Sequence, residues 1–213
     1  MTPIQVIYAD ASLLVLNKPA GLLSVPGKGA DKQDCLSLRA QQLYPDALVV
    51  HRLDMATSGL LVMARSPTAQ RDLNDAFAER RIHKRYEAVV DGVLDAPDTG
   101  WQLIDLPIFL DWAQRPKRMI DTQRGKPSST RWRVLSIDPV KNTTRLLLEP
   151  VTGRSHQLRV HLCALGHAIL GDPLYAPAHV ACASDRLLLH ACELELPHPS
   201  RAETLRFVCP TPF

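Results

Sequence analysis

Arg52 and Asp54 are the first residues whose types and spacing could do chemistry: a cation and a carboxylate within the run His-Arg-Leu-Asp at 51–54. Apolar residues precede this run, and Ala-Thr-Ser-Gly at 56–59 leads into a second apolar run. The pattern predicts a strand, a sharp turn and a second strand. Side chains alternate between the faces of a strand, so Arg52 and Asp54 are expected on one face and His51 on the other. Such a pair forms either a chemical centre or an ordinary exposed ion pair, and the spacing alone favours neither.

A second candidate is Arg154, within Thr-Gly-Arg-Ser at 152–155. We predict that it precedes the N-terminus of a helix, where free backbone N–H groups and the helix dipole favour an anion. An arginine at that place can hold a phosphate or the carboxylate of Asp54. His156 and His161 are five residues apart rather than four, so they miss the usual spacing of zinc ligands on a helix and predict no metal site.

Composition limits the class of protein. The chain has 213 residues, of which 46% are hydrophobic, so it can bury a sizeable core. The net charge of +3 does not by itself indicate a nucleic-acid binder. Arginine is the main basic residue, which suits phosphates and base edges but is also expected of a GC-biased genome. Five cysteines without a C-x-x-C pair suit a reducing compartment. With no signal-peptide pattern and no long apolar run, we expect a soluble cytoplasmic protein that does not enter a membrane.

Strands are expected to position the candidate residues more than helices do. Alternating apolar residues predict a strand pair within 4–19 and later strands over 86–92, 128–137, 143–149, 187–190 and 205–208. Helical spacing predicts helices over 34–43, 69–81 and 155–165. Because strands dominate, we expect an α+β fold in one domain, built on a mostly antiparallel mixed sheet with flanking helices and loops.

Two helix boundaries carry specific signals. Ser66 followed by Pro67 is typical of a helix start, with serine as the cap and proline in the first turn. Ser155 is predicted to cap the third helix and Gly166 to end it. The core-facing residues of that helix are predicted to be Leu158, Leu162 and Leu165.

Two dense basic runs lie at 80–85 and 115–118, and they contain Arg85, Arg115 and Lys117. Each run can be a solvated face, and the first also suits the C-terminus of a helix. The alternative is contact with the phosphates of a nucleic acid.

Three ordered motifs together resemble the RluA family of pseudouridine synthases. Residues 51–59 resemble its catalytic motif, residues 84–88 its tyrosine motif, and residues 153–161 with 165–172 its third motif. The similarity runs from 17–27 to 187–191 and therefore covers nearly the whole chain. Residues 105–117 resemble the member that gives the family its name more than the larger members, which usually carry an N-terminal S4-like domain. Since the first motif begins at residue 17, we expect one catalytic domain over 1–213 and no S4 domain.

The resemblance implies isomerisation of uridine to pseudouridine in RNA, without a cofactor or a metal. Asp54 would act near C1′ of the ribose, and the sequence leaves open whether it attacks C1′, adds to C6 or removes a sugar proton. Tyr86 would lie against the uracil and help to move the C5 proton. Arg154 would pair with Asp54, keeping it ionised and oriented. Arg52 would fill the gap that the flipped nucleotide leaves.

The remaining site residues have supporting roles in this interpretation. His51 would orient the loop of Asp54. Leu158 would lie under the base or pack in the core, and the resemblance does not choose between them. Arg85, Arg115 and Lys117 would contact the RNA.

The expected substrates are stem-loops of 23S rRNA and of the tRNA anticodon arm, because a small domain can read only a compact bent loop. One alternative is a synthase for a different single rRNA or tRNA uridine. Another is a non-catalytic RNA-binding protein of the same fold. A hydrolase using Asp54 and a histidine is disfavoured, because the chain has no Ser or Cys elbow and no paired catalytic carboxylates. We expect a monomer, because no dimerisation stripe is evident.

Overall fold

A computed structural model describes residues 4–94, 100–113 and 115–213. The chain divides into two compact units. Unit 1 comprises Met1–Lys84 and His190–Pro212, and unit 2 comprises Arg85–Leu189 with Phe213. One catalytic domain over 1–213 stays a prediction.

Strands outnumber helices in the described residues, which confirms the α+β class. In chain order the strands are β1 (Gln5–Ala9), β2 (Leu13–Lys18), β3 (Leu48–Val49), β4 (Ser58–Ala64), β5 (His83–Asp91), β6 (Gln102–Asp105), β7 (Ile108–Phe109), β8 (Met119–Ile120), β9 (Ser129–Asp138), β10 (Thr143–Pro150), β11 (Leu189–Pro197) and β12 (Thr204–Val208). The helices are α1 (Leu36–Leu43), α2 (Pro67–Ala78), α3 (Gln157–Ala164) and α4 (Ala178–Ala181), with a 3-10 turn at Ala30–Lys32. Each predicted strand after residue 80 is present, with shifted ends.

The sheet of unit 1 has the strand order β1–β2–β4–β11–β12. All neighbours are antiparallel except β4 and β11, which are parallel. The short β3 pairs antiparallel with β4, where Val49 lies opposite Met63. This is the mostly antiparallel mixed sheet that the sequence predicts.

The core of unit 1 forms between this sheet and α2. Every residue of β4 is buried. Leu73 and Ala76 of α2 belong to one apolar cluster with Leu60 and Val62 of β4. Burial of this continuous apolar strand provides a firm support for the residues that precede it in the chain.

Helix α2 begins as predicted and ends early. The Ser66 hydroxyl accepts a hydrogen bond from the Ala69 N–H at 3.1 Å, which confirms the cap. The helix ends at Ala78 rather than at 81, because Arg80 adopts a left-handed backbone conformation with φ of 60°. The Arg81 N–H then bonds the Ala76 carbonyl, which closes the last turn.

The sheet of unit 2 has the order β5–β10–β9–β6, and every neighbouring pair is antiparallel. Strands β9 and β10 form the predicted hairpin. Strands β7 and β8 form a separate two-stranded sheet. Helix α3 contacts β8, β9 and β10, and Leu162 of α3 is fully buried, as are Leu146 and Leu148 of β10.

The prediction of a strand through 51–54 is wrong. Strand β3 ends at Val49, and the chain is irregular until β4 begins at Ser58. The backbone groups between these strands bond to side chains and loops rather than to a neighbouring strand, as described below. The alternation that placed Arg52 and Asp54 on one strand face therefore does not apply.

The predicted boundaries of the third helix are also wrong at its start. Helix α3 begins at Gln157 after His156, which has a left-handed φ of 58° and forms no side-chain cap. Ser155 is not the cap. Gly166 follows the end of the helix with φ of +85°, as predicted. Leu165 is 39% exposed and does not belong to the core.

Among the described residues, no helix is both long and apolar enough to cross a membrane.

Candidate active site

Asp54 lies in the irregular segment 50–57 between β3 and β4. Its side chain is half-buried, whereas those of Arg52 and Met55 are exposed. Leu53 and Thr57 are buried, at 5% and 3% exposure. The segment therefore combines buried residues that fix it with exposed residues that face outward.

The N-terminal side of this segment is fixed by two hydrogen-bonded contacts. The Ser24 hydroxyl donates to the Leu53 carbonyl at 2.7 Å and accepts from the Leu53 N–H at 3.0 Å. Both residues are buried. Nε2 of His51 accepts a hydrogen bond from the Val62 N–H at 3.0 Å. The backbone on either side of Arg52 is thus held by side-chain contacts.

The C-terminal side is held by Lys18, whose side chain is fully buried. Its Nζ donates to the carbonyls of Pro19 at 2.9 Å, Leu22 at 2.7 Å and Met55 at 3.0 Å. The Gly21 N–H also donates to the Met55 carbonyl, at 2.9 Å. These contacts fix the residue that follows Asp54. A hydrogen bond from the Thr57 N–H to the Asp54 carbonyl closes the turn at 3.1 Å.

Residue periodicity could not reveal the role of Lys18, because a lysine on a strand is expected to be exposed. Its only signal is its place in Asn-Lys-Pro-Ala-Gly at 17–21, a stretch that enters the sequence analysis through the resemblance alone. Ser24 gives no signal of its own.

His51 is neutral in the folded chain. Burial, together with the nearby charge of Lys84, lowers the pKa of His51 from 6.5 to about 3. Nε2 accepts a hydrogen bond, so Nδ1 carries the proton of the neutral ring. The ring also packs against Phe77 of α2, with centroids 4.7 Å apart. This geometry supports the predicted orienting role of His51.

In unit 2, Arg154 is exposed on the turn that precedes α3. Its backbone N–H donates to Oε1 of Gln157 at 3.0 Å, and the Thr152 hydroxyl donates to the same oxygen at 2.7 Å. Nε2 of Gln157 donates to the Ser129 carbonyl and to the Thr130 hydroxyl, both at 3.0 Å. The buried amide of Gln157 therefore connects the turn of Arg154 to β9.

His156, between Arg154 and α3, contacts Tyr175. Nδ1 of His156 lies 2.6 Å from the Tyr175 hydroxyl. The backbone N–H of Arg118 donates to the same hydroxyl at 2.9 Å. Tyr175 is not among the predicted site residues and follows the third motif at 165–172.

Leu158 is 7% exposed on α3. Its burial favours core packing in this state of the protein, and a role beneath a base stays a prediction.

Tyr86 and Arg85 are neighbours on β5 and therefore project to opposite faces of the unit 2 sheet. Tyr86 lies opposite the buried Leu148 of β10 and is half-buried. Arg85 forms an ion pair with Glu149 at 3.5 Å. Its guanidinium carbon lies 5.9 Å from the centroid of the Trp101 ring. The predicted contact of Arg85 with RNA is thus on a different sheet face from Tyr86.

Arg115 and Lys117 are exposed on the segment between β7 and β8. The guanidinium of Arg115 stacks on the ring of Trp112, which is 68% exposed. An exposed arginine stacked on an exposed indole is well suited to nucleic-acid bases and phosphates. This placement supports the predicted RNA contacts of Arg115 and Lys117.

Within the described residues, no group of three or more His, Cys, Asp or Glu side chains could hold a metal ion.

Sequence and structure comparisons give consistent matches. A sequence model of the family described as "RNA pseudouridylate synthase" matches residues 12–164. The chain is 46% identical over 208 residues to "Dual-specificity RNA pseudouridine synthase RluA" of Escherichia coli O6:H1, covering 98% of this chain and 93% of that protein. The protein of the same name from Yersinia pestis is also 46% identical, with 98% and 99% covered.

Solved structures of human proteins are similar as well. "Human RNA Pseudouridylate Synthase Domain Containing 1" matches with a TM-score of 0.81 and 29% identity, covering 99% of this chain and 84% of that one. "Human RNA Pseudouridylate Synthase Domain Containing 4" matches with a TM-score of 0.74 and 27% identity, covering 98% and 88%.

Proposed function

The chain belongs to the RNA pseudouridylate synthase family and is a pseudouridine synthase that acts on RNA, and we propose that its substrates are uridines in 23S rRNA and in the tRNA anticodon stem-loop. The observation that carries this proposal is the similarity, over 98% of the chain, to proteins named as dual-specificity synthases. A compact loop shared by two RNAs is a target that a small protein can read by shape and stacking.

Asp54 is the proposed catalytic carboxylate. The isomerisation breaks the N1–C1′ bond, rotates the uracil and forms a C5–C1′ bond, while the C5 proton passes to water and N1 takes up one proton from water. Attack on C1′, addition to C6 and removal of a sugar proton all require a carboxylate beside the nucleoside. Asp54 is suited to this task because its backbone is held from both sides, through Leu53 and Met55, so that the carboxylate is pre-oriented.

Tyr86 and Arg154 are the other proposed catalytic residues. The phenol of Tyr86 would lie against the uracil and assist transfer of the C5 proton. The guanidinium of Arg154 would pair with Asp54 and keep its carboxylate charged. The support is that Arg154 is exposed on a turn fixed by Gln157, while Tyr86 is held on a sheet strand.

The RNA-contacting residues are also proposed from the motifs that they belong to and from their positions in the structure. Arg52 is exposed beside Asp54 and would fill the gap in the stack when the nucleotide flips. The same proposal includes the loop-orienting His51, the base-supporting Leu158 and the RNA contacts Arg85, Arg115 and Lys117. We further propose that residues 1–213 form one catalytic domain that works as a monomer in the cytoplasm, where rRNA and tRNA are found.

Release of tritium tests the activity and the site together. RNA stem-loops labelled at uridine C5 are incubated with the protein, and tritium in water is counted. Asp54→Ala should abolish release while RNA affinity and melting temperature remain close to those of the original chain. Asp72→Ala, at an exposed position of α2, is the matched control and should leave release unchanged. Full turnover by Asp54→Ala would overturn the assignment of Asp54.

Substrate identity needs a separate measurement. Pseudouridines are mapped in 23S rRNA and tRNA from a strain that lacks the gene, with the gene restored as control. Loss of one site in each RNA is the expected result. Loss of a single site elsewhere would replace the proposed targets but leave the family assignment intact.

A further inference from the structure

The hydroxyl of Tyr175 contacts two segments that carry proposed functional residues. It accepts a hydrogen bond from the Arg118 backbone N–H at 2.9 Å, at the end of the segment that contains Arg115 and Lys117. It also lies 2.6 Å from Nδ1 of His156, two residues after Arg154. One oxygen atom thus joins both segments within unit 2.

The direction of the hydrogen bond from Arg118 follows from its chemistry. A backbone N–H can only donate, so the Tyr175 oxygen accepts from Arg118. The Tyr175 hydroxyl keeps its proton and a second lone pair, so it can donate to Nδ1 of His156 or accept from it, and the hydrogen bond joins the two residues in either tautomer of the ring. Burial raises the pKa of Tyr175, which keeps the hydroxyl protonated at neutral pH.

His156 needs such a contact because its backbone is in the left-handed region, with φ of 58°. This conformation costs free energy for a residue other than glycine, and it persists where the surroundings hold it. The Tyr175 ring also packs edge-on against the imidazole, with centroids 5.6 Å apart and planes at 82°. The conformation of His156 sets the direction in which the chain passes from the turn of Arg154 into α3.

Tyr175 is itself rigidly held. Its N–H donates to Oδ1 of Asp172 at 3.2 Å. Asp172 forms a buried, two-point ion pair with Arg159, whose guanidinium carbon lies 5.1 Å from the centroid of the Tyr175 ring. The thiol of Cys163 donates to the Tyr175 carbonyl at 3.3 Å. The phenol is therefore held in a fixed position, from which it contacts both exposed turns.

We propose that Tyr175 is a positioning residue, which orients the turn of Arg154 through His156 and joins that turn to the segment 115–118 through the Arg118 N–H. The inference rests on the proposed function, in which Arg154 is catalytic. Tyr175 lies outside the three motifs, and its contact gives His156 a role other than capping or metal binding.

Tyr175→Phe tests the proposal, because it removes only the hydroxyl and keeps the ring beneath Arg159. We expect kcat to fall about tenfold, KM to change less than twofold, and the melting temperature to stay within about 2 °C. The size follows from the sensitivity of catalysis to small displacements of a catalytic group. Tyr44→Phe is the matched control, since Tyr44 also lies beneath an arginine, with the Arg65 guanidinium carbon 5.0 Å from its ring centroid.

Substitution of His156 provides the rescue experiment. His156→Ala removes the hydrogen-bond partner of the Tyr175 hydroxyl and should lower kcat about as much as Tyr175→Phe. His156→Asn places an amide oxygen near the position of Nδ1 and tolerates the left-handed backbone, so it should recover most of the kcat that His156→Ala loses. The double variant Tyr175→Phe with His156→Ala should cost no more than either single variant, because both remove the same hydrogen bond.

Two results would overturn the proposal. One is an unchanged kcat for Tyr175→Phe while Arg154→Ala is inactive, which contradicts the positioning role and leaves the proposed function intact. The other is full activity of Arg154→Ala, which removes the catalytic role of Arg154 and with it the premise of the inference. The combination of an inactive Arg154→Ala, a slowed Tyr175→Phe and rescue by His156→Asn supports it.

Discussion

The imidazole of His51 accepts a hydrogen bond from the backbone N–H of Val62, with 3.0 Å between nitrogen atoms. This contact joins the segment of Asp54 to the buried strand β4, and it requires a neutral ring. A protonated His51 would lose the lone pair on Nε2 and would place a charge close to Lys84. Protonation is therefore coupled to the order of the proposed catalytic loop.

Acidification should destabilise the protein through His51. The unfolded chain binds a proton at this residue near pH 6.5, whereas the folded pKa is about 3. Between these values the unfolded state binds more protons, so the free energy of unfolding falls as the pH falls. Each unit of pKa corresponds to about 1.4 kcal/mol. His51→Gln keeps a hydrogen-bond acceptor that does not titrate. The free energy of unfolding of the original chain, relative to that of His51→Gln, should therefore fall by about 2–3 kcal/mol from pH 7 to pH 4.

Chemical denaturation at a series of pH values measures this effect, and His179→Gln is the control. The side chain of His179 is 76% exposed, so its substitution should leave the pH dependence nearly unchanged. The prediction would be contradicted if the free energies of unfolding of the original chain and of His51→Gln differed by the same amount from pH 7 to pH 4.

Gly59→Ala should strongly destabilise unit 1. Gly59 lies opposite Ala191, where β4 and β11 pair, and its φ is +109°. A β-carbon at this position would lie 2.3 Å from the Ala191 carbonyl oxygen. Strain and loss of pairing should together cost about 3 kcal/mol or more. Gly100→Ala, where a β-carbon meets nothing within 4 Å, should change the free energy of unfolding by less than about 0.5 kcal/mol. Equal melting temperatures for the two variants would refute the role assigned to Gly59.

The sequence could predict the elements whose stability is local. Alternation identifies β9 and β10 because buried and less buried residues alternate in the first four residues of each strand, and the turn between them contains polar residues. Ser66 and Pro67 identify the start of α2 because the capping hydroxyl of Ser66 lies only three residues before Ala69, from whose N–H it accepts a hydrogen bond. In both cases the sequence pattern and the interaction that it predicts lie within one short stretch of chain.

The segment of Asp54 could not be predicted in this way. Its backbone groups bond to Ser24, Lys18 and Gly21, which are about 30 or more residues earlier in the chain. The alternating pattern of 51–54 imitates a strand although no neighbouring strand pairs with these residues. Likewise, Ser155 satisfies the rule for a cap, but α3 begins after His156, which has a left-handed backbone conformation and forms no side-chain cap. The residue types of the candidate site were found through motifs, whereas their supports depend on tertiary contacts.

The buried ion pair between Arg159 and Asp172 should be sensitive to loss of either partner. The two residues are 3% and 1% exposed and form two hydrogen bonds, at 2.7 and 2.5 Å. Asp172→Asn leaves the arginine charge buried without a counter-charge and should cost about 3–5 kcal/mol. Lys141→Ala breaks an exposed pair with Asp138 and should cost less than about 1 kcal/mol. Equilibrium unfolding measures both, and equal costs would contradict the prediction.

Arg52→Ala should slow the reaction most on RNAs in which the target uridine is stacked, because that uridine must leave the stack before it reacts. An extruded base loses a few kcal/mol of stacking and pairing, which an inserted guanidinium partly replaces. We expect kcat/KM to fall at least about tenfold on a structured stem-loop and much less on a single-stranded RNA of the same sequence, whose uridine is already unstacked. Arg71→Ala on the exposed face of α2 controls for loss of one positive charge. Tritium release from both RNAs gives the ratio of the two losses in kcat/KM directly. An equal loss of kcat/KM on both RNAs would show that Arg52 contributes its charge and does not fill the gap that the flipped uridine leaves.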